Sequence, residues 1–421
     1  MSCGVVGMGI VSSLGENKRR FSQALKDGES GITYLSDKKY AGLSVKIGAE
    51  IKKFSFIDRL QTYDGLAADV LDRARRCAQR SPFAIQTSVL SALEAWQEAG
   101  LRDRAMPPDR IGLIVAGENT TRSYQYELQA RFEKTPEYLS PKYAVQYLDT
   151  NQVGVLSEIL NIRGEGLVVG GASASGNVGI IKGMQLIQAG VVDACLVVGV
   201  VADLSPMEMQ GFINIGAMGG KTSYDRPEKA SRPFDAQHDG FIYGQASASV
   251  VLESVESAHR RDVPMQARIL GGAINLHATS TSEPDVDGEA CAMNTALVRG
   301  GITASDVDYL NAHGSSSPLG DDVEAKAIND VYKGHLSNLW INSTKGLTGH
   351  CLYSAGVVEL ISSIVQMQGG FIHPNKNLDS PIDKNLRFSG RTFVNEKTST
   401  AMSNSFGFGG INSSLVFQCL G

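Results

Sequence analysis

Twice in this chain a Gly- and Ser-rich turn runs directly into an apolar helix, and any fold has to place both copies. The first copy spans Gly170 to Gly190 and the second Lys345 to Gly369. A further echo runs alongside. Ser91-Ala92-Leu93-Glu94-Ala95 leads through Gly100-Leu101 to a strand-like run, Ile111 to Ala116, and a Gly-rich turn. Asn294-Thr295-Ala296-Leu297 leads through Gly300-Gly301-Ile302 to another, Val307 to Ala312, and a turn at Gly314. Two related halves packed together would account for both echoes. Apolar strand-like runs alternate with helical patterns along the chain, which predicts an α/β fold.

With 421 residues, 42% of them hydrophobic, the chain has enough apolar surface for a large core. Its net charge of −5 gives no basic excess to attract nucleic acid. The longest strongly apolar run, Ala194 to Ala202, is bounded by Asp193 and Asp203 and is too short to span a bilayer. The opening stretch Cys3-Gly4-Val5-Val6 reads as a strand and not as a signal peptide. The six cysteines are scattered, with no CxxC and no paired Cys/His spacing, so no metal site is expected and a reduced, cytoplasmic protein is.

Four segments carry chemistry. In Leu167-Val168-Val169-Gly170-Gly171-Ala172-Ser173 a short strand turns sharply into a helix, and Ser173 falls at the helix N-terminus. Unpaired N–H groups and the positive end of the dipole there favour an oxyanion, although a capping serine fits the same pattern. In Asn311-Ala312-His313-Gly314 a histidine follows a strand and can face a cleft, or serve as a satisfied structural residue. Ser343-Thr344-Lys345-Gly346-Leu347-Thr348-Gly349-His350 sets a lysine and a histidine five residues apart in a Gly-rich turn. In Phe406-Gly407-Phe408-Gly409-Gly410 the glycines leave two rings with few packing neighbours, which suits an aromatic gate.

In order and spacing these segments, with Arg232-Pro233-Phe234-Asp235 and Asp239-Gly240-Phe241, resemble the β-ketoacyl carrier-protein synthases, most nearly the elongating ketosynthases. The resemblance covers essentially the whole chain. It implies a thiolase-like fold of two pseudo-symmetric βαβαβαββ-type halves in an αβαβα layered arrangement, here 1–250 and 251–421, and a homodimer. Family members carry a Cys–His–His set backed by a lysine. The histidines map onto His313 and His350, the lysine onto Lys345, and the cysteine position is Ser173.

That departure changes the expected chemistry. A thiol with a pKa of about 8.5 is readily lowered to a thiolate at a helix N-terminus. A serine hydroxyl needs an aligned general base. The resemblance implies that both histidines face a thioester oxygen, leaving neither as that base. Decarboxylation of a malonyl thioester needs no nucleophile, only donors for the enolate oxygen, and His313 and His350 can supply them. The Phe406–Gly407–Phe408 turn would crowd the leaving carboxylate, and Lys345 would tune the histidine turn. Gly171, Gln245, Tyr353 and Ser354 also depart from the family pattern, which points to a natural divergent subgroup. The subgroup it most resembles is the serine-containing ketosynthase-like malonyl-carrier-protein decarboxylases of polyketide β-branching cassettes.

The resemblance therefore implies an acyl carrier protein as partner, with the substrate on its phosphopantetheine arm and no bound cofactor. It also implies functional coupling to an enzyme similar to HMG-CoA synthase. Arg73, Arg75, Arg76 and Arg80 lie within one helical stretch and form a candidate landing site for an acidic carrier, or simply a solvated helix face. Two other classes stay open. One is a non-catalytic chain-length-factor-like subunit, which the retained histidine pair argues against. The other is a condensing or acyl-transfer enzyme with Ser173 as nucleophile.

Overall fold

The computed structural model describes residues 2–101 and 106–420. Ten strands form its main sheet: β1 (Cys3–Ser12), β2 (Ile111–Ala116), β3 (Gly166–Val169), β4 (Ala194–Gly199), β5 (Ala246–Ser254), β6 (Ala267–Leu276), β7 (Tyr309–Asn311), β8 (Trp340–Asn342), β9 (Thr400–Gly407) and β10 (Ile411–Cys419). The helices that matter below are α1 (Ala68–Ala78), α2 (Phe83–Glu98), α3 (Arg122–Phe132), α4 (Ser175–Gln188), α5 (Val286–Gly300), α6 (Pro318–Val331) and α7 (Ala355–Gln368).

Strand order exposes the repeat. The first half runs β1-β5-β4-β2-β3 and the second β6-β10-β9-β7-β8. Each half has two antiparallel pairings followed by two parallel ones, in the same positions. The halves join where Cys3–Val5 of β1 pairs with Ala267–Ile269 of β6. β5 spans the expected 250/251 boundary, and a helix (Val255–Arg261) follows it before β6 begins.

Alternation along the strands builds three cores. Val5, Met8, Ile10, Cys195, Val197, Val250 and Leu252 face a central core. Val6, Val11, Leu196, Val198 and Val251 face the opposite way, onto α2. In the second half Tyr309, Ala401, Leu415 and Phe417 point to the central core, while Leu310, Met402 and Val416 face α5 and α6. The result is five layers, α-β-α-β-α, the thiolase-like arrangement that the resemblance implies.

The middle layer is α4 and α7. Almost every residue of α7 is buried, the pattern of a helix enclosed on all sides. Each helix follows a turn of 3₁₀ helix whose first residue, Ala172 or Leu352, is left-handed at φ 48° or 50°. The two helices cross where Gly176 meets Gly356: a Cβ on Gly176 would lie 2.8 Å from the Gly356 nitrogen. Only glycine permits that approach, and it brings the two Gly/Ser turns to one place. No helix among the described residues is long and apolar enough to cross a membrane.

Candidate active site

The turns at the N-termini of α4 and α7 meet the strand end after β7 and the end of β9 around one cavity of about 230 Å³. Ser173, His313, His350, Phe406 and Phe408 line it together, joined by Glu118 and Tyr353. The chain thus brings together the three residues expected to carry chemistry. The His313 and His350 rings lie 5.4 Å apart, nearly perpendicular.

Backbone donors decide what each imidazole can do. The Leu352 N–H donates to Nδ1 of His350 at 3.2 Å, and the Phe406 N–H donates to Nδ1 of His313 at 3.4 Å. A backbone N–H can only donate, so each Nδ1 is an acceptor and each ring proton sits on Nε2. Burial holds both imidazoles well below the usual histidine range, and the positive charge of Lys345 pushes in the same direction. Both are therefore neutral single-proton donors near neutral pH. Ser173 Oγ lies 2.9 Å from Nε2 of His350. With the proton on Nε2, His350 donates and the serine oxygen accepts. The histidine touches the serine but is not positioned as its base.

Lys345 lies behind this pair, fully enclosed. Its Nζ donates to the His313 carbonyl oxygen at 2.6 Å and pairs with the Glu359 carboxylate from α7. Glu359 in turn accepts from Ser405 Oγ at 3.3 Å. A second carboxylate, Glu324 of α6, accepts from the His313 N–H at 2.8 Å, the Gly314 N–H at 2.7 Å and Asn404 Nδ2 at 3.1 Å. Burial pushes Glu324 up to about 7 against the pull of those donors. His313 is thus held at its N–H, its carbonyl and its ring. Glu324 gave no sequence signal, because its role depends on α6 folding back under a turn.

The aromatic turn is less open than its glycines suggest. Phe406 is buried at the end of β9, with its ring 5.7 Å from that of His313. Phe408 is exposed and packs edge-on against Phe212 at 6.2 Å. Gly407 passes so close to the Ser173 turn that a Cβ would lie 2.4 Å from the Gly171 carbonyl oxygen. The expectation of two loosely packed rings is therefore corrected for Phe406: both rings line the cavity, but Phe406 is buried and only Phe408 is exposed. Gln245 is buried away from the cavity, accepting from the Ile51 N–H at 2.9 Å and donating to Tyr243 Oη at 3.0 Å.

The four arginines lie on and just beyond α1. Arg73 pairs with Asp69 at 2.6 Å, Arg75 with Asp72 at 3.4 Å and Arg76 with Glu158 at 3.4 Å, while Arg80 is exposed. Most of that charge is offset within the fold.

Comparison with known proteins bears on the whole chain. The sequence models of the β-ketoacyl synthase N-terminal and C-terminal domains match residues 3–258 and 266–379. The polyketide biosynthesis malonyl-ACP decarboxylase PksF of Bacillus subtilis is 35% identical over 98% of this chain and 95% of its own length. The 3-oxoacyl-[acyl-carrier-protein] synthase 2 of Coxiella burnetii is 30% identical over 98% of this chain and 97% of its own. Among solved structures, a beta-ketoacyl synthase from Burkholderia phymatum superposes with a TM-score of 0.84 at 26% identity, each chain covered in full.

Proposed function

The chain belongs to the β-ketoacyl synthase family, and from that premise we propose that it decarboxylates malonyl-acyl carrier protein to acetyl-acyl carrier protein. The observation that carries this reading is the proton arrangement around Ser173. Two neutral imidazoles present Nε2–H groups to one cavity, and the hydroxyl at the nucleophile position has a donor beside it where it would need a base. Such a site suits an oxygen that gains negative charge and does not suit a serine that must lose a proton.

The step balances without the enzyme forming a bond. The thioester carbonyl oxygen accepts from His313 and His350 as the bond to the carboxylate carbon breaks. Its electron pair moves into the enolate and carbon dioxide leaves. The carbon then takes up a proton to give the acetyl thioester. A preorganised donor at such an oxygen is worth about 2.7–4 kcal/mol of barrier. The substrate oxygen must share or displace the hydrogen bond that Ser173 accepts in the free enzyme. Phe406 and Phe408 are proposed to keep the cavity dry around the leaving carboxylate.

Incubation with malonyl-carrier protein tests this reading. Mass spectrometry is expected to find acetyl-carrier protein and unmodified enzyme. Ser173→Ala is expected to keep most of the activity, because the hydroxyl contributes a single hydrogen bond of about 0.5–1.5 kcal/mol. An acyl group mapped to Ser173, together with an inert alanine variant, would move the protein to the condensing or acyl-transfer enzymes.

The same reading includes a homodimer. β3 forms an open edge of the sheet, and Tyr126, Phe132, Tyr138 and Tyr147 on and after α3 are exposed. An open edge offers a template for pairing with another chain, and an exposed aromatic face marks an interaction site. Light scattering at micromolar concentration is expected to give twice the chain mass, and a monomer there would overturn the assignment.

A further inference from the structure

Residue 173 stands where a helix N-terminus ordinarily favours an anion. In this chain a fixed carboxylate already occupies that end. Glu118, in the loop after β2, accepts from the Ala172 N–H through Oε1 at 3.1 Å. Its Oε2 lies 2.6 Å from where a Cβ on Gly170 would be, so the glycine makes room for it. Glu118 and Ser173 line the same cavity. An N–H that would otherwise face a developing anion beside residue 173 is therefore spent on a side chain of the protein.

Among the other titratable and charged groups at this end of the cavity, Glu208 adds to the negative charge and Arg122 opposes it only in part, as their effects on Tyr353 show. His313 and His350 are neutral, and Lys345 is paired with Glu359 behind them. Burial, with the negative charge of Glu118 added, pushes the Tyr353 phenol up to about 12. Asp149 adds negative charge and is engaged with the N–H groups of Asn119 and Thr120. Arg122 donates to Asn119 Oδ1 at 3.2 Å, and no ion pair joins it to Glu118 among the described residues.

We propose that Glu118 is a specificity-determining residue that disfavours negative charge at position 173, restraining the site from acyl transfer and leaving decarboxylation as its chemistry. A serine at 173 and a carboxylate beside it act in the same direction. The inference rests on the decarboxylase reading, but its test involves no decarboxylation, so the two can fail separately.

The test introduces a titratable reporter. Ser173→Cys is combined with Glu118→Gln, and iodoacetamide alkylation of residue 173 is followed against pH by peptide mapping. A like charge close by commonly moves a pKa by about one unit or more. The Gln variant is therefore expected to lower the alkylation midpoint by about that much, with a roughly ten-fold rise in rate below the midpoint. Glu118→Asp, which keeps the charge, should leave the midpoint close to that of Ser173→Cys alone. Glu118→Met supplies a second neutral variant should the glutamine protein fold poorly. An unchanged midpoint in the neutral variants would overturn the proposal, whatever the outcome of the decarboxylation assay.

Discussion

His313→Ala and His350→Ala are each expected to lower turnover of malonyl-carrier protein by about 10²–10³-fold, the usual cost of losing one preorganised donor to an oxyanion. The losses should fall on kcat more than on KM, because the donors meet their full charge only as the enolate forms. The paired loss should be less than additive if the two imidazoles grip one oxygen. Substrate turnover measured alongside circular dichroism separates this from misfolding. Both rings also pack against aromatic neighbours, Phe406 for His313 and Phe241 for His350, so the folding check is part of the test. Near wild-type turnover in a folded variant would remove that histidine from the chemistry.

Lys345→Met is expected to lower stability by about 3–5 kcal/mol, read as a fall in the thermal midpoint, because it leaves a buried charge without its partner. Two groups lose their contact at once: the Glu359 carboxylate and the His313 carbonyl oxygen. The pH dependence follows from Glu359. Burial holds its pKa above the ordinary carboxylate range, opposed by Lys345. A raised carboxyl contributes stability that is present below its unfolded pKa and lost as pH rises through its folded pKa. Removing the lysine raises that pKa further. The deficit relative to wild type should therefore be larger at pH 8 than at pH 5. A deficit independent of pH would mean that Lys345 acts through packing alone.

The sequence determined what is local. Strand and helix identity follow from period and turn chemistry, and alternation along β1, β4 and β5 already sorts residues between two cores. The Gly/Ser turns ahead of α4 and α7 announce themselves by composition, as do the two histidines and the serine at 173. The repeat is visible because both halves need the same turn before the same buried helix.

Tertiary structure decided the proton positions and the charge around them. Which nitrogen of His350 holds the proton depends on the Leu352 N–H, and His313 depends on Phe406, ninety-three positions away along the chain. Glu324 reaches His313 only because α6 folds under the turn, and Glu118 reaches Ala172 only because β2 and β3 lie side by side. Phe406 looked unpacked beside its glycines because its neighbour, the His313 ring, belongs to another strand end. Periodicity and turn propensity report a residue's own neighbourhood in sequence. A hydrogen bond between groups tens of positions apart leaves no such trace, and the chemistry at Ser173 is built from bonds of that kind.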